Sequence, residues 1–566
     1  MNKLVASKYW WIYILIALIA LNYLASIIHF RLDLTQEKRY TLSPPTKKLL
    51  KGLTDPVIIT VFLTGDMPAG FKKLSNSTEE LLQEFKELGK ANIIFQFKKP
   101  GDGLDDTART NFIIHLDSLG LSPTNVRVQA KAGEAQEERL VYPGALISFL
   151  GRETAIDLLK GQSAYGGSNS LNNAEALLEY KFASSIQKIT TDSVPLIGYL
   201  NGNGQPLTYN VFDLIEHTLK PNYRFGVVPI DKVNVIPLEY NAIVIVKPTE
   251  KFSDPQKLKI DQYIMHGGKV IWMIDNLYAE LDSLRRTESD FIAFDRGLNL
   301  DDQLFRYGVR INKDLVQDLQ SDKLPQVVGD YGGQPQIELV TWPYFPLLIP
   351  NNGHPISKNL DNVLSIFPNS IDTIRTTDVE KTILLSTSEN SRTLSTPAIV
   401  SFNSVKTEED MKTFNRNNIP VAVLLEGKFR SLYANRISAS LADTLSKFYH
   451  QPFQATSSEN KMIVISDADL VVNAVVPNEG PKPMGYNQYT QRTYANKDFF
   501  VNCIEYLVNP SGILETRSKD FALRLLDPKK VEEGRTKWQL LNIAIPVFLI
   551  VLFGFIYQAL RRKKYQ

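Results

Sequence analysis

Cysteine occurs once among the 566 residues, at Cys503, which excludes any internal disulfide and any cysteine-rich zinc site. Histidine is nearly as scarce. The six present show neither H-E-x-x-H nor a short ligand spacing, so no metal centre is expected, and His266 reads as part of a helix C-terminal turn. No run fits the phosphate-cradling pattern G-x-x-x-x-G-K-[ST]; the nearest, "HGGKVIW", lacks the spacing and the hydroxyl that would hold magnesium. A dominant charge is missing too: 63 Lys and Arg face 61 Asp and Glu, a formal net charge of +2, which offers no field to attract nucleic acid. Cys503 lies among Phe499, Phe500, Ile504 and Leu507 and reads as a packing residue rather than a nucleophile. No acyl-transfer triad can be assembled and no cofactor is implied, so the pattern argues for binding or scaffolding rather than catalysis.

What the chain does have is concentrated at its ends. From Tyr9 to Phe30, "YWWIYILIALIALNYLASIIHF" carries no Asp, Glu, Lys or Arg, and its length as a helix is roughly 33 Å, enough to cross a bilayer core. Its apolar run is too long for a cleaved signal peptide and no A-x-A-like site follows, so it reads as an anchor. A second span is expected over 540–560, "LLNIAIPVFLIVLFGFIYQAL", where Pro546 and Gly554 are tolerable and "RRKK" closes the helix. Trp10, Trp11, Trp538 and Tyr557 fall where interfacial aromatics belong. Two spans put both termini on one side of the membrane. Basic residues follow the first span as well as precede it, so that count alone leaves orientation open. Long domains translocate largely regardless of charge, and the short basic tail favours cytoplasmic termini.

Beside each span lies a basic, amphipathic collar. In "DLTQEKRYTLSPPTKKLLKGL" (33–53), Ser43 suits an N-cap, Pro44 the first helical position, and Leu49, Leu50 and Leu53 give one apolar side before Gly52 weakens the helix. "RSKDFALRLLDPKKVEEGRTKW" (517–538) mirrors it. In the plainer reading these are spacers packing their leucines on the next domain. In the sharper one Lys47, Lys48, Lys51, Arg517, Lys519 and Arg524 form a cationic surface for lipid headgroups or a membrane partner.

Over the full 566 residues, a composition of 43% hydrophobic and 22% charged residues suggests about two or three domains. "VIITVFL", "STEELLQEFKELG" with a capping box from Ser77 to Glu80, and "NIIFQF" form a strand-helix-strand unit expected to be parallel. Two strands joined at Gly151-Arg152 and a long helix over 171–189 complete a first α/β domain. A second opens at "VPLIGYL" and repeats strands and helices through "SDPQKLKIDQYIMHGGKVIWMID", where Asp254 is expected to cap, then "KTILLST", "PVAVLLEG", "KMIVISDADL" and the helix "NKDFFVNCIEYLV". Strands apolar on both faces imply a sheet covered on both sides. The expected organisation is a tail at 1–8, a span at 9–30, a membrane-proximal α/β domain at 31–190, and a second α/β domain at 191–510 with an insertion around 276–380. An amphipathic linker at 511–539, a span at 540–560 and a basic tail at 561–566 complete it.

Three features of the second domain are candidate ligand contacts. "GNGQP" follows a strand and precedes a helix, so the amides of Gly202, Asn203, Gly204 and Gln205 could meet an anion, although such pairs commonly just turn the chain. Asp275 and Asp467 sit at expected carboxyl ends of strands, the crevice where open α/β sheets bind ligands, although aspartates also simply end strands.

Taken in order between two terminal spans, "LTQEKRYTLSPPTKKLL", "GYLNGNGQP", "IDQYIMHGGKVIWMID", "SDADLVVN", "NKDFFVNCIEYLV" and the ending "RTKWQLLNIAIPVFLIVLFGFIYQALRRKKY" resemble the GldG type of gliding-motility-associated ABC transporter auxiliary proteins of Bacteroidota over nearly the whole chain. The resemblance implies a non-enzymatic subunit of the cell inner membrane with a large periplasmic domain. It would work with a separate ABC permease and a separate ATPase, with membrane lipids and other envelope components of motility and secretion as further partners. Relatives of that type often carry a Gly-His-Gly-Glu-like loop where this chain has Gly202, Asn203, Gly204 and Gln205, so a titrating role for the loop is in doubt here. Both α/β domains are expected to hold mostly parallel sheets, and the second also looks like class I glutamine-amidotransferase and flavodoxin-like sheets. Where such amidotransferases place a nucleophilic cysteine, this strand runs into Asp275, Asn276 and Leu277. A tethered ligand-binding protein and a hydrolase-like enzyme stand as the alternatives.

Overall fold

The computed structural model describes residues 15, 18, 19, 41–65, 67–128, 137–159, 171, 174–283, 290–402, 407–518 and 528–565. The expected first span, 9–30, therefore lies outside the described residues except for helical Leu15, Leu18 and Ile19. By its internal contacts the chain divides into one unit ending at Lys519 and a second starting at Asp520.

The first unit opens with helix α1 (Pro44–Lys51), strand β1 (Val57–Val61), helix α2 (Ala69–Gly89), strands β2 (Ile93–Phe97), β3 (Gly144–Phe149) and β4 (Arg152–Asp157), and helix α3 (Leu178–Thr190). The sheet order is β2-β1-β3-β4, with β1 and β2 parallel and the other two pairs antiparallel, where a mostly parallel sheet was expected. The crossover through α2 permits parallel pairing; the tight turn at Leu150-Gly151, both at positive φ, forces antiparallel pairing of β3 and β4. Helix α2 starts eight residues before the expected Ser77 cap. Ser77 instead lies inside it and donates to Glu175 at 2.9 Å, because Phe71 and Leu74 extend the apolar stripe of Leu82 and Phe85 toward the N-terminus. Helix α3 is regular only from Leu178, later than the expected 171.

Next come β5 (Leu196–Asn201), β6 (Arg224–Pro229), β7 (Ala242–Val246), α4 (Asp254–Met265), β8 (Lys269–Met273) and the short α5 (Asp301–Tyr307). Strands β9 (Ser321–Tyr331), β10 (Gln334–Pro350), β11 (Val379–Ser386), β12 (Pro420–Arg430) and β13 (Thr456–Ile465) and helix α6 (Asn496–Val508) follow. They build a ten-stranded sheet of order β9-β10-β11-β12-β13-β8-β7-β5-β6, with Val363–Leu364 paired to β10. From β13 to β6 all pairs are parallel; from β9 to β13 all are antiparallel. The sheet is thus mixed where a mostly parallel one was expected, since β12 runs antiparallel to β13 and to β11, and the β9–β10 hairpin, inside the region read as an insertion, extends that antiparallel edge. Ser253, not Asp254, caps α4: it forms a capping box with Gln256.

Both faces of the central strands are covered. Along β7 and β8, Ala242, Val244, Val246, Ile271 and Met273 pack with Phe499, Phe500, Cys503 and Ile504 of α6. The alternate set, Ile243, Ile245, Val270 and Trp272, packs with Ile260, Tyr263 and Ile264 of α4. Cys503 is fully buried, and burial pushes its thiol far up. The two sheets are joined where α3 meets the chain around α6: Gln187 and Asn509 exchange side-chain hydrogen bonds of 3.0 and 2.9 Å, and Lys188 pairs with Glu505 at 2.8 Å.

The second unit contains helix α7 (Pro528–Tyr565), which runs unbroken through part of the expected linker. Its Lys537–Arg562 segment is long and apolar enough to cross a membrane, and none of it is buried. Backbone hydrogen bonding within the helix makes such exposure compatible with lipid, and Pro546 removes only one N–H.

Candidate functional site

Strand order reverses at β5: β6 follows on one side, β7 and β8 on the other, the switch point at which open α/β sheets hold ligands. The Gly202–Gln205 loop leaves β5 there. Gly202 and Gly204 have φ of 135° and 74°, and a Cβ on Gly204 would meet Thr249 Oγ1 at 2.0 Å, so the turn depends on glycine. Gln205 Oε1 accepts the amides of Gly202 (3.1 Å) and Asn203 (2.7 Å). The Asn203 carbonyl accepts the amides of Thr249 and Glu250, and its Nδ2 donates to Lys251 O and Gln256 Oε1. The amides of 202 and 203 that an anion would need are thus satisfied by the loop's own carboxamide. The loop ties β5 to the entrance of α4. An acidic side chain at 205 would accept the same two amides.

At the ends of β7, β8 and β13 the structure brings Asp275 and Asp467 together and adds residues that the sequence reading did not single out. Lys247, directly after β7 and at φ 46°, lies 3.3 Å from Asp275 Oδ2 and 3.1 Å from Glu280 Oε2, and pairs closely with Asp469. Asp275 Oδ1 accepts the Ala468 amide at 2.6 Å. Asp467 accepts the Ile366 amide at 2.7 Å, the Asp469 amide at 2.8 Å and the Ser365 hydroxyl. Glu280 also binds Arg296, whose guanidinium stacks 4.5 Å from the Tyr278 ring. Lys247 left a weak sequence signal, a lone cation ending the run "AIVIV", and Asp469 stood two residues from Asp467 in "SDADL".

Burial pushes Asp467 well above the usual carboxylate range, with Asp275 and Asp469 adding repulsion. Burial likewise raises Asp469, to about 7, against the pull of Lys247. The Lys247 ammonium is itself opposed by burial, but Asp469, Asp275 and Glu280 outweigh that and raise its pKa well above normal. Beside the cluster is a cavity of about 310 Å³ lined by Glu280, Asp469, Asn473, Tyr486 and Asn496 among others. The arrangement can hold protons and present partial negative charge to a small cavity. It contains no nucleophile, and no group of three or more His, Cys, Asp or Glu suited to a metal occurs among the described residues.

A pH dependence follows. A carboxyl whose folded pKa is raised contributes stability that is complete below its unfolded pKa and lost as pH rises through the folded one. With Asp469 folded at about 7, unfolding free energy should fall by about 1.4 kcal/mol between pH 6 and pH 8 from this group. Asp469→Asn should flatten that slope in urea titrations at the two pH values; an unchanged slope would place the titration elsewhere.

The collar residues do not form one surface. On α1, Lys47 is half-buried and Lys48 and Lys51 are exposed, while Leu50 and Thr46 are buried and the Ser43 hydroxyl and amide bind Glu179 of α3 at 2.6 and 2.7 Å. Arg517, expected as an exposed charge, is instead buried: it donates to Asn502 Oδ1 at 2.9 Å and lies 5.0 Å from the Tyr180 ring. The short helix Ile513–Ser518 carries Ile513 and Leu514 into the two cores and takes Arg517 with them. Lys519 and Arg524 lie outside the described residues.

Comparison with known proteins places this architecture. Residues 195–503, from β5 into α6, match a family described as an ABC-type uncharacterized transport system, its auxiliary component, and residues 36–148 match a domain of unknown function. An uncharacterized protein of Borreliella burgdorferi is 20% identical over 554 residues, 95% of each chain. Among solved structures, the mmIFT52 N-terminal domain aligns at 13% identity and a TM-score of 0.30, covering 56% of this chain and 97% of its own. The exo-beta-1,4-mannosidase Op5Man5 from Opitutaceae bacterium strain TAV5 aligns at 10% and 0.21, covering 82% and 52%. With the family match extending over more than half its length, the chain belongs to the auxiliary proteins of ABC-type transport systems.

Proposed function

We propose that the protein is a non-enzymatic, membrane-anchored subunit that joins a large mixed α/β domain to an ABC permease and a separate ATPase of the inner membrane, in a system serving gliding motility and its associated secretion. The observation that carries this reading is the apolar, unburied Lys537–Arg562 helix in a chain whose main sheet belongs to the transport auxiliary family. A helix with that surface needs lipid or another membrane helix around it. The first apolar run, Tyr9 to Phe30, supports a two-pass topology with the large domain in the periplasm, and the motif resemblance supports the motility link. The same resemblance supports a separate ATPase, and no P-loop pattern occurs in this sequence.

Affinity purification of the chain at native expression in mild detergent should recover a polytopic permease and a P-loop ATPase in fixed ratio. Replacing 537–562 by a flexible soluble linker should abolish their recovery. Recovery of the intact chain without either partner would overturn the reading. A ligand-binding role is favoured by one observation, the cavity of about 310 Å³ beside Glu280 and Asp469. The loop at Gly202–Gln205 supports it less, since its inner amides are already bonded.

A further inference from the structure

A cavity of about 990 Å³ lies away from the switch point and is lined by α5, the strand after it, the segment at 374–376 and the loop after β12. Its walls are fixed from beneath by α4. Asp261 there accepts hydrogen bonds from the Ser431 hydroxyl (2.6 Å), the Leu432 amide (3.0 Å) and the Tyr307 hydroxyl (2.9 Å), and buried Lys257 pairs with Asp302 at 2.5 Å. Loop and helix are therefore held in a preformed shape. Some of the charges at its mouth are neutralised: Arg310 pairs with Asp372 at 2.6 Å, and Lys313 with Asp295 and, at 3.5 Å, Asp301. Arg306, Arg375 and Arg436, from three separate segments, are exposed and have no ion pair among the described residues. Beside them Phe305 stands 51% exposed, and Ile374 and Leu432 add further apolar surface.

We propose that this cleft binds an acidic polypeptide segment, with Arg306, Arg375 and Arg436 each taking a carboxylate and Phe305 packing against an apolar residue between them. Guanidinium groups match carboxylates in bidentate geometry. The volume stands at the upper end of ligand sites, more than a single small anion fills. Phe305, exposed beside the three guanidinium groups, favours a polypeptide carrying apolar residues over a phosphate chain, which offers the ring nothing apolar to pack against.

The test titrates the full chain in detergent with a labelled synthetic peptide of repeating Glu-Leu-Asp, with its Gln-Leu-Asn counterpart, and with inorganic polyphosphate, at low salt. Saturable, salt-sensitive binding of the acidic peptide is expected, with none for the neutral one. Replacing Arg306, Arg375 and Arg436 together by Gln should weaken binding by about tenfold or more, and Phe305→Ala should weaken it without altering the salt dependence. Because none of the three arginine side chains makes a hydrogen bond or ion pair among the described residues, the triple variant should unfold as the wild type does. The proposal is overturned if the wild type does not bind the acidic peptide, if the triple variant binds equally well, or if polyphosphate binds as tightly and independently of Phe305.

Discussion

Replacing Lys247 with methionine is expected to destabilise the protein by about 3–5 kcal/mol at pH 8, the scale for removing one partner of a buried ionic group. Its ammonium contacts Asp275, Glu280 and Asp469, and Asp467 lies next in the same cluster. Methionine fills a similar volume, so the loss is electrostatic rather than a packing defect. Below its folded pKa of about 7 the Asp469 carboxyl takes up a proton and no longer needs the cation. The penalty should therefore be smaller at pH 5 than at pH 8, whereas a cavity would cost the same at both. Urea unfolding of wild type and Lys247→Met by circular dichroism at both pH values measures it. A cost below about 1 kcal/mol at pH 8 would mean the cluster is effectively solvated.

The second large effect is expected at Arg517. Its guanidinium reaches Asn502 on α6, the Lys358 carbonyl in the inserted region and the face of Tyr180 on α3, so one side chain fastens three segments of the first unit. The Asn359 side chain in turn donates to the Arg517 carbonyl at 3.1 Å. Arg517→Gln should cost about 2–4 kcal/mol, since it leaves buried acceptors without a donor. Changing Lys47, Lys48 and Lys51 together to Gln should stay within about 0.5 kcal/mol, because none is in a core. Thermal unfolding of the two variants gives the comparison, and protease cleavage near 190 would show whether the two sheets separate first. Equal stability of both variants would show that Arg517 is no clamp.

Both results bear on how much of the molecule its sequence discloses. Period and composition made the strands and helices around 196–273 and 496–508 legible, because apolar residues on both faces of β7 and β8 leave a covered sheet as the only economical burial. They also marked Asp275 and Asp467 as strand-end residues. They missed Lys247, Glu280 and Arg296, whose relevance arises only when β7, β8 and β13 lie side by side. Helix entrances were misjudged where a longer apolar stripe overrode a local cap, as at Ser77 in α2, and where Ser253 rather than Asp254 closed the capping box.

The sequence by itself determined that the chain carries a membrane-length apolar helix near its end, has no disulfide, and has no P-loop pattern, for these depend on local composition and need no partner in space. Tertiary structure alone decided the rest. Half of the main sheet is antiparallel because β12 runs antiparallel to β13 and to β11, and the β9–β10 hairpin extends that edge. Arg517 is a buried clamp because a short helix turns it between two cores, though its neighbours read as an exposed basic collar. The Gly202 and Asn203 amides are closed by the Gln205 carboxamide only in the folded turn, and three arginines without an ion pair among the described residues line one cleft because their segments, far apart in the chain, meet there, which no local pattern encodes.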